Sequence, residues 1–250
     1  MQKNINSFMG YSVGARDGII GKVEDFYFDE KTWTIRYLVV NTGTWLSGRK
    51  VLISLTAMIS PEALIKDSRD AATFPVNLTR EQVLNSPESK TDEPISRQHE
   101  AQLANYYPWE AYWGTGFSPG RAWGVIPPTP VMTLASLAEQ EKIEETVLGL
   151  ASREDSHLRS IRTVTGYHIH ATDDDIGHVN DFMIDTSTWQ IIFLVVDTHN
   201  WIGGAKVLIP VRHISKIQWE NARVFIDMTV ESIRQSPVFE KIRTAKEQKQ

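Results

Sequence analysis

Hydrophobic and polar positions alternate with period two in VEDFYFD (Val23–Asp29). This predicts a strand with Val23, Asp25, Tyr27 and Asp29 on one face and Glu24, Phe26 and Phe28 on the other. IRYLVV (Ile35–Val40) follows as an unbroken β-branched and aromatic run, the pattern of a strand covered on both sides. The polar segment DEKT (Asp29–Thr32) between them has the length of a hairpin turn. The same text then returns: WTIRYLVVNTGTWLSGRKVLI (Trp33–Ile53) is echoed by WQIIFLVVDTHNWIGGAKVLI (Trp189–Ile209), 156 positions later. Gly10/Gly166, Tyr11/Tyr167, Asp17/Asp173, Gly21/Gly177, Asp25/Asp181, Phe26/Phe182, Asp29/Asp185 and Thr32/Thr188 fall into that register without a gap. Farther on, NLTREQVLNSP (Asn77–Pro87) matches DMTVESIRQSP (Asp227–Pro237) at a displacement of 150, so repeat one holds six extra residues before its closing helix.

A fixed displacement of this kind marks a duplicated unit. In each copy an earlier turn is marked by RDGIIG or TDDDIG, where Asp bonds locally and Gly permits positive φ. A closing helix starts at Thr79 or Thr229; Thr79 with Gln82 fits a capping box and Thr229 with Ser232 fits it poorly. Several short strands in a unit of this size predict a small closed or nearly closed barrel, which removes exposed sheet edges. The expected fold class is therefore mainly β: two small barrels in tandem, each with a short terminal helix, joined by an aromatic-rich linker with a helical segment. The expected boundaries are 1–87 for the first barrel, 88–159 for the linker, 160–238 for the second barrel and 239–250 for a charged C-terminal tail.

Within the linker, ISRQHEAQLAN fits a short helix capped by Ser96. Tyr106, Tyr107, Trp109, Tyr112, Trp113, Phe117 and Trp123 then crowd together amid Gly and Pro. A solvated linker would be polar, so these aromatics pack on something. Either they brace the barrels from outside, or part of the segment is a partner surface, since clustered Tyr and Trp are typical of interface hot spots. TLASLAEQEKIEETVLGLA follows as an acidic amphipathic helix with Leu134, Leu137, Ile143, Val147 and Leu150 on one side.

Composition narrows the function classes. The chain has 250 residues, 41% of them hydrophobic and 23% charged, the profile of an ordinary globular protein. The formal charge of −5 argues against direct nucleic-acid binding, which rests on clustered Lys and Arg. There is no cysteine, which removes thiolate catalysis, disulfides and Cys-based metal sites. MQKNINSFMG lacks a signal-peptide core and no stretch is long and apolar enough to span a membrane, so the expected location is cytoplasmic.

Catalytic signatures are missing: there is no GxGxxG, GxxxxGK[ST] or GxSxG pattern, and HEAQL at His99 lacks the second histidine of a zincin helix. Asp17, Asp29, Asp173 and Asp185 sit at turns, where local hydrogen bonding accounts for them. His168 and His170 share one face of a strand, with His178 across the next turn. Most histidines so placed bind no metal, and metal binding through these three stays open only as an alternative. Trp45 and Trp201 follow the central strands in TGTW and THNW, where they cap a barrel end, pack between barrels or form a shared ligand or partner site.

The order G-Y-x-V-x-A-x-D-G-x-I-G-x-V-x-D-F, then D-x-x-T-W-x-I-R-Y-L-V-V, then G-R-K-V-L-I resembles the PRC-barrel family, the family of the photosynthetic reaction-centre H-subunit cytoplasmic domain and of a ribosome maturation factor's C-terminal domain. The likeness is strong from Gly10 to Ile53 and from Gly166 to Pro210, and the whole is similar to bacterial proteins with two such barrels. One departure is that Ile209-Pro210 becomes Ile53-Ser54 in repeat one. The resemblance implies a non-enzymatic interaction or scaffolding module without cofactor or metal, whose partner is another protein or a second copy of the chain. Candidate partner-binding residues are Trp45, Trp201, Tyr106, Tyr107, Trp109, Tyr112, Trp113 and Trp123. Alternatives are a ribosome- or RNA-assembly accessory factor, a protein associated with a reaction centre or modulating electron transfer, and the metal-binding reading of the histidines.

Overall fold

Both repeats form the strands that their patterning predicts, and each meander folds back into a ring. The computed structural model describes residues 1–59, 73–87, 95, 97–107, 109, 158–198, 206–237 and 239. Repeat one contains β1 (Gln2–Asn4), β2 (Ser12–Ala15), β3 (Gly18–Asp29), β4 (Thr34–Asn41), β5 (Lys50–Ser54), β6 (Thr73–Pro75) and the closing helix α1 (Arg80–Leu84). The linker helix α2 (Arg97–Tyr106) follows. Repeat two contains β7 (Leu158–Ser160), the short helix α3 (Ile161–Val164), β8 (His168–His170), β9 (Asp175–Asp185), β10 (Gln190–Asp197), β11 (Lys206–Pro210), β12 (Ile214–Gln218), β13 (Arg223–Ile226) and α4 (Val230–Arg234). In repeat one β2 to β5 pair antiparallel in sequence, β6 lies parallel to β2, and a bridge from Met58 to Val76 closes the ring. Repeat two closes equivalently through β12 on β13 and the parallel pair β13–β8. Closure leaves few free edges, the reason this architecture suits so small a unit.

The two rings are fused by reciprocal exchange of their first strands. β1 of repeat one pairs with β9 of repeat two, Gln2 opposite Asp185, and β7 of repeat two pairs with β3 of repeat one, Leu158 opposite Asp29. The hairpin turns meet at the same place. The Ile35 N–H donates to the Trp189 carbonyl at 2.9 Å and the Ile191 N–H to the Trp33 carbonyl at 2.7 Å, so β4 and β10 join at Thr34 and Gln190. Because the strand exchange and the β4–β10 junction are both reciprocal, the two copies stand in a pseudo-twofold arrangement. One hydrophobic cluster runs through both repeats. Trp189 of repeat two stacks on Phe26 and lies 5.8 Å from Phe8 and 6.0 Å from Phe74, all in repeat one.

Local sequence explains several details. The expected two-face alternation in Val23–Asp29 is interrupted. Register shifts at Val23/Asp25 and Tyr27/Phe28 turn the strand, and every residue from Asp25 to Asp29 is buried because β7 and the second ring cover its outer side. Gly21 and Gly177 mark another bend. A Cβ on Gly21 would stand 2.1 Å from the Asn41 carbonyl oxygen, and one on Gly177 2.0 Å from that of Asp197. The turn aspartates act as expected but reach farther: Asp17 accepts from the Arg80 N–H and Asp173 from the Val230 N–H, so each fixes the start of its closing helix. The Thr79–Gln82 capping box is complete, whereas Thr229 accepts from the Ser232 N–H at its hydroxyl without its own N–H donating back to the Ser232 side chain. Ser54, in place of the proline at Pro210, takes the same extended conformation before a 3₁₀ turn and caps the Thr56 N–H with its hydroxyl.

Candidate binding groove at the seam between repeats

Strand exchange carries the start of each repeat to a buried carboxylate of the other. Asp25, on β3, accepts the Ser160 hydroxyl at Oδ2 and the Arg162 N–H at Oδ1, 3.0 Å away, besides its neighbour's N–H from Phe26 at 2.7 Å. Ser160 is occupied on both sides, because its oxygen accepts the Thr163 N–H at 2.9 Å. Asp181, on β9, repeats the arrangement with the Phe182 N–H at 2.7 Å and the Asn6 N–H at 3.4 Å. Burial raises both carboxyls above the ordinary aspartate value, and the converging donors only partly offset it. These two residues are the caps that hold the exchanged turns in place.

Beside Asp25 the seam opens to solvent. A concavity of about 450 Å³ lined by Glu24, Asp25, Val39, Lys50, Ser160, Arg162 and Thr163 shares Glu24 and Arg162 with a second of about 600 Å³. The second is bounded by Ile19 to Glu24 on β3 and by Asn41 to Trp45 after β4. Glu24 organises the floor: Lys50 Nζ lies 2.8 Å from Oε1, Arg162 Nη1 lies 3.2 Å from it, and Asn41 Nδ2 donates to Oε2 at 2.9 Å. Burial works to raise the Glu24 carboxyl, but the Lys50 and Asn41 hydrogen bonds and the Lys50 and Arg162 charges outweigh it and leave it below its usual value. At the far end the Trp45 indole N–H donates to the Ile20 carbonyl and the Arg80 guanidinium sits 4.5 Å above the indole ring. Ile19 is 53% exposed on the rim.

The residues singled out from the sequence divide into three groups. Trp45 lines this groove, half-buried, so its loop builds one wall of a concavity. Tyr106, Tyr107 and Trp109 lie elsewhere, at the end of α2 against repeat one. The Tyr106 hydroxyl donates to the Gln82 carbonyl, Tyr107 is fully buried and stacked 4.1 Å from Trp109, and the Tyr37 hydroxyl donates to Glu100. Burial first, with Tyr106 adding, pushes the Tyr107 phenol up to about 12, against the lowering effect of Ser86 and Arg49. This part of the linker braces the first barrel. Trp201, Tyr112, Trp113 and Trp123 lie outside the described residues, as do Ser96, the 133–151 segment and, apart from Phe239, the 239–250 tail.

The histidines fall where the strand reading put them. His168 and His170 flank the buried Ile169 on β8, and His178 stands opposite His168 on β9. His170 Nδ1 is 2.6 Å from Asp175 Oδ1, and its ring meets Phe225 edge-on. Among the described residues no group of three or more His, Cys, Asp or Glu is placed to hold a metal ion. Sequence reasoning did not single out Ile19, Glu24, Asp25, Ser160 or Arg162. The signal that could have found one of them was an aspartate repeated in both copies, at Asp25 and Asp181, directly before the apolar runs Phe26–Phe28 and Phe182–Ile184.

Two closed rings exchanging their first strands around a pseudo-twofold axis define a tandem small-β-barrel protein. The model of the PRC-barrel domain family matches residues 2–71 and 159–232, more than half of the chain, and the chain belongs to that family. Both matches begin inside an exchanged strand, so the strand that crosses the seam is part of the family unit. No curated protein matches the chain. Among the described residues no helix is long and apolar enough to cross a membrane.

Proposed function

We propose that this protein is a non-enzymatic interaction module that engages a protein partner through the groove at the seam. The observation that carries the reading is the composition of that groove. Repeat one supplies Ile19, Glu24 and Trp45, repeat two supplies Arg162, and the floor is tied together by the Glu24 network, so the binding surface exists only when both repeats are assembled. An aromatic ring, an exposed aliphatic side chain and fixed charges at one concavity are the ingredients of an interface hot spot. The linker aromatics Tyr107 and Trp109 serve instead as an internal brace.

The test places a photo-crosslinking phenylalanine analogue at Ile19 of the full chain in its native cells, with the exposed Lys216 on β12 as the control position. Light-dependent adducts to a second protein at position 19, absent from position 216, are the expected result. A folded protein that yields no such adduct at position 19 overturns the reading.

A further inference from the structure

The charge of the groove differs from that of the chain. The protein carries a formal −5. Yet Lys22, Lys50 and Arg162 all line the groove, and the guanidinium of Arg80 rests on the Trp45 ring. The facing carboxylates are already engaged: Glu24 holds Lys50 and Arg162, Asp25 is buried under Ser160 and the Arg162 N–H, and Asp17 caps the Arg80 N–H. Lys22 is exposed and has no ion-pair partner among the described residues, while the Arg162 side chain is 69% exposed and shares Glu24 with a second cation. Two cations thus line a concavity together with the exposed apolar side chain of Ile19.

We propose that the groove takes an acidic peptide segment with at least one bulky apolar side chain, its carboxylates meeting Lys22 and Arg162 and its apolar side chain covering Ile19 beside Trp45. This rests on the reading of the groove as the partner site and adds the chemistry of the partner. A nucleic acid fits less well, because the cationic patch is small, its floor holds a carboxylate, and the surrounding chain is acidic, whereas phosphate recognition needs extended basic surface. Opposite charge across such a rim steers encounter and selects among partners, and its contribution is screened by salt.

The probe is a short fluorescein-labelled peptide alternating Glu with Leu and Gly, titrated with the full chain and followed by anisotropy. Comparison probes replace every Glu by Lys, or every Leu by Ser, or are a single-stranded RNA oligonucleotide. The Glu/Leu peptide is expected to bind, more weakly as salt rises, with the other three bound poorly. The double variant Lys22→Glu/Arg162→Glu is expected to weaken binding roughly tenfold or more, and Ile19→Ser to weaken it without changing the salt dependence. All three positions are exposed, and the Arg162 N–H that holds Asp25 is retained; because Arg162→Glu also removes the ion pair with Glu24, an unchanged urea midpoint for each variant is the control that the seam is kept. Equal binding of the Lys peptide, unchanged affinity in the double charge reversal, or preference for the RNA each overturns the proposal. If crosslinking at position 19 captures a partner while the Glu/Leu peptide fails, the partner chemistry is wrong and the interaction module stands; failure of the crosslink removes the module reading itself.

Discussion

Replacing Asp25 probes the seam where the two repeats hold each other. Its carboxylate accepts the Ser160 hydroxyl, the Arg162 N–H and the Phe26 N–H in a site only 6% exposed. Asp25→Ala removes the acceptor and leaves two backbone donors without it, at about 1–3 kcal/mol each. Relief from burying a carboxylate offsets part of this, so the expected net cost is about 2–4 kcal/mol. Asp25→Asn keeps an oxygen for the two N–H groups, and the Ser160 oxygen has a second lone pair to accept from the new amide beside the Thr163 N–H, but the Ser160 proton loses its acceptor, so the cost at neutral pH is expected to be about 1–2 kcal/mol, below that of Asp25→Ala. The pH dependence follows from the raised carboxyl. A group that binds its proton more tightly folded than unfolded gives stability that is fully present below the unfolded pKa and lost as pH rises through the folded pKa. Asp25→Asn should therefore gain on the wild type as pH rises above the ordinary aspartate value of about 4. Urea unfolding of the wild type and both variants across that range measures all three quantities. If Asp25→Ala costs less than about 0.5 kcal/mol, the cap is dispensable; if the wild type gains on Asp25→Asn as pH rises, the assigned direction of the carboxyl is wrong.

Further outcomes follow from the same packing. Phe8→Ala, at a fully buried ring in contact with Tyr11, Phe74 and the second repeat's Trp189, is expected to cost about 3–5 kcal/mol. Because that ring sits in a core shared by both repeats, urea unfolding should move as one transition, and two transitions of which only one shifts would show that the repeats unfold separately. Gly177→Ala, at φ +129 with a backbone oxygen 2.0 Å from the new Cβ, should cost clearly more than Gly10→Ala, which has open space and only the penalty of about 1–2 kcal/mol for a left-handed residue; thermal melts of the two variants give the comparison. The Asp185 carboxyl, held down to about 2 by the Ser187 hydroxyl and N–H with the Met1 amine adding, should rise toward the ordinary aspartate value in Ser187→Ala, as read by NMR titration.

The sequence by itself determined what is local or periodic. Alternation in β3, the unbroken apolar run of β4 and the polar turns between them were enough for the existence of the strands, though not for the faces of β3, where two register shifts break the period. The common register of Gly10 to Thr32 with Gly166 to Thr188 was enough for two copies, and Thr79 with Gln82 for the capping box. Only the tertiary structure decided how the copies share their parts. Gln2–Asn4 and Leu158–Ser160 are short strands with ordinary composition, and nothing in three residues states whether they pair within their own ring or with the other. That choice is made by contacts more than a hundred positions apart, Asp25 with Ser160 and Asp181 with Asn6, each of which is an unremarkable polar residue until the fold buries it beside its donor. The groove follows for the same reason: Trp45 was visible as an aromatic in a loop, but its chemistry depends on Arg162 arriving from the other repeat, and a chain pattern carries no record of which distant surfaces a closed ring will bring together.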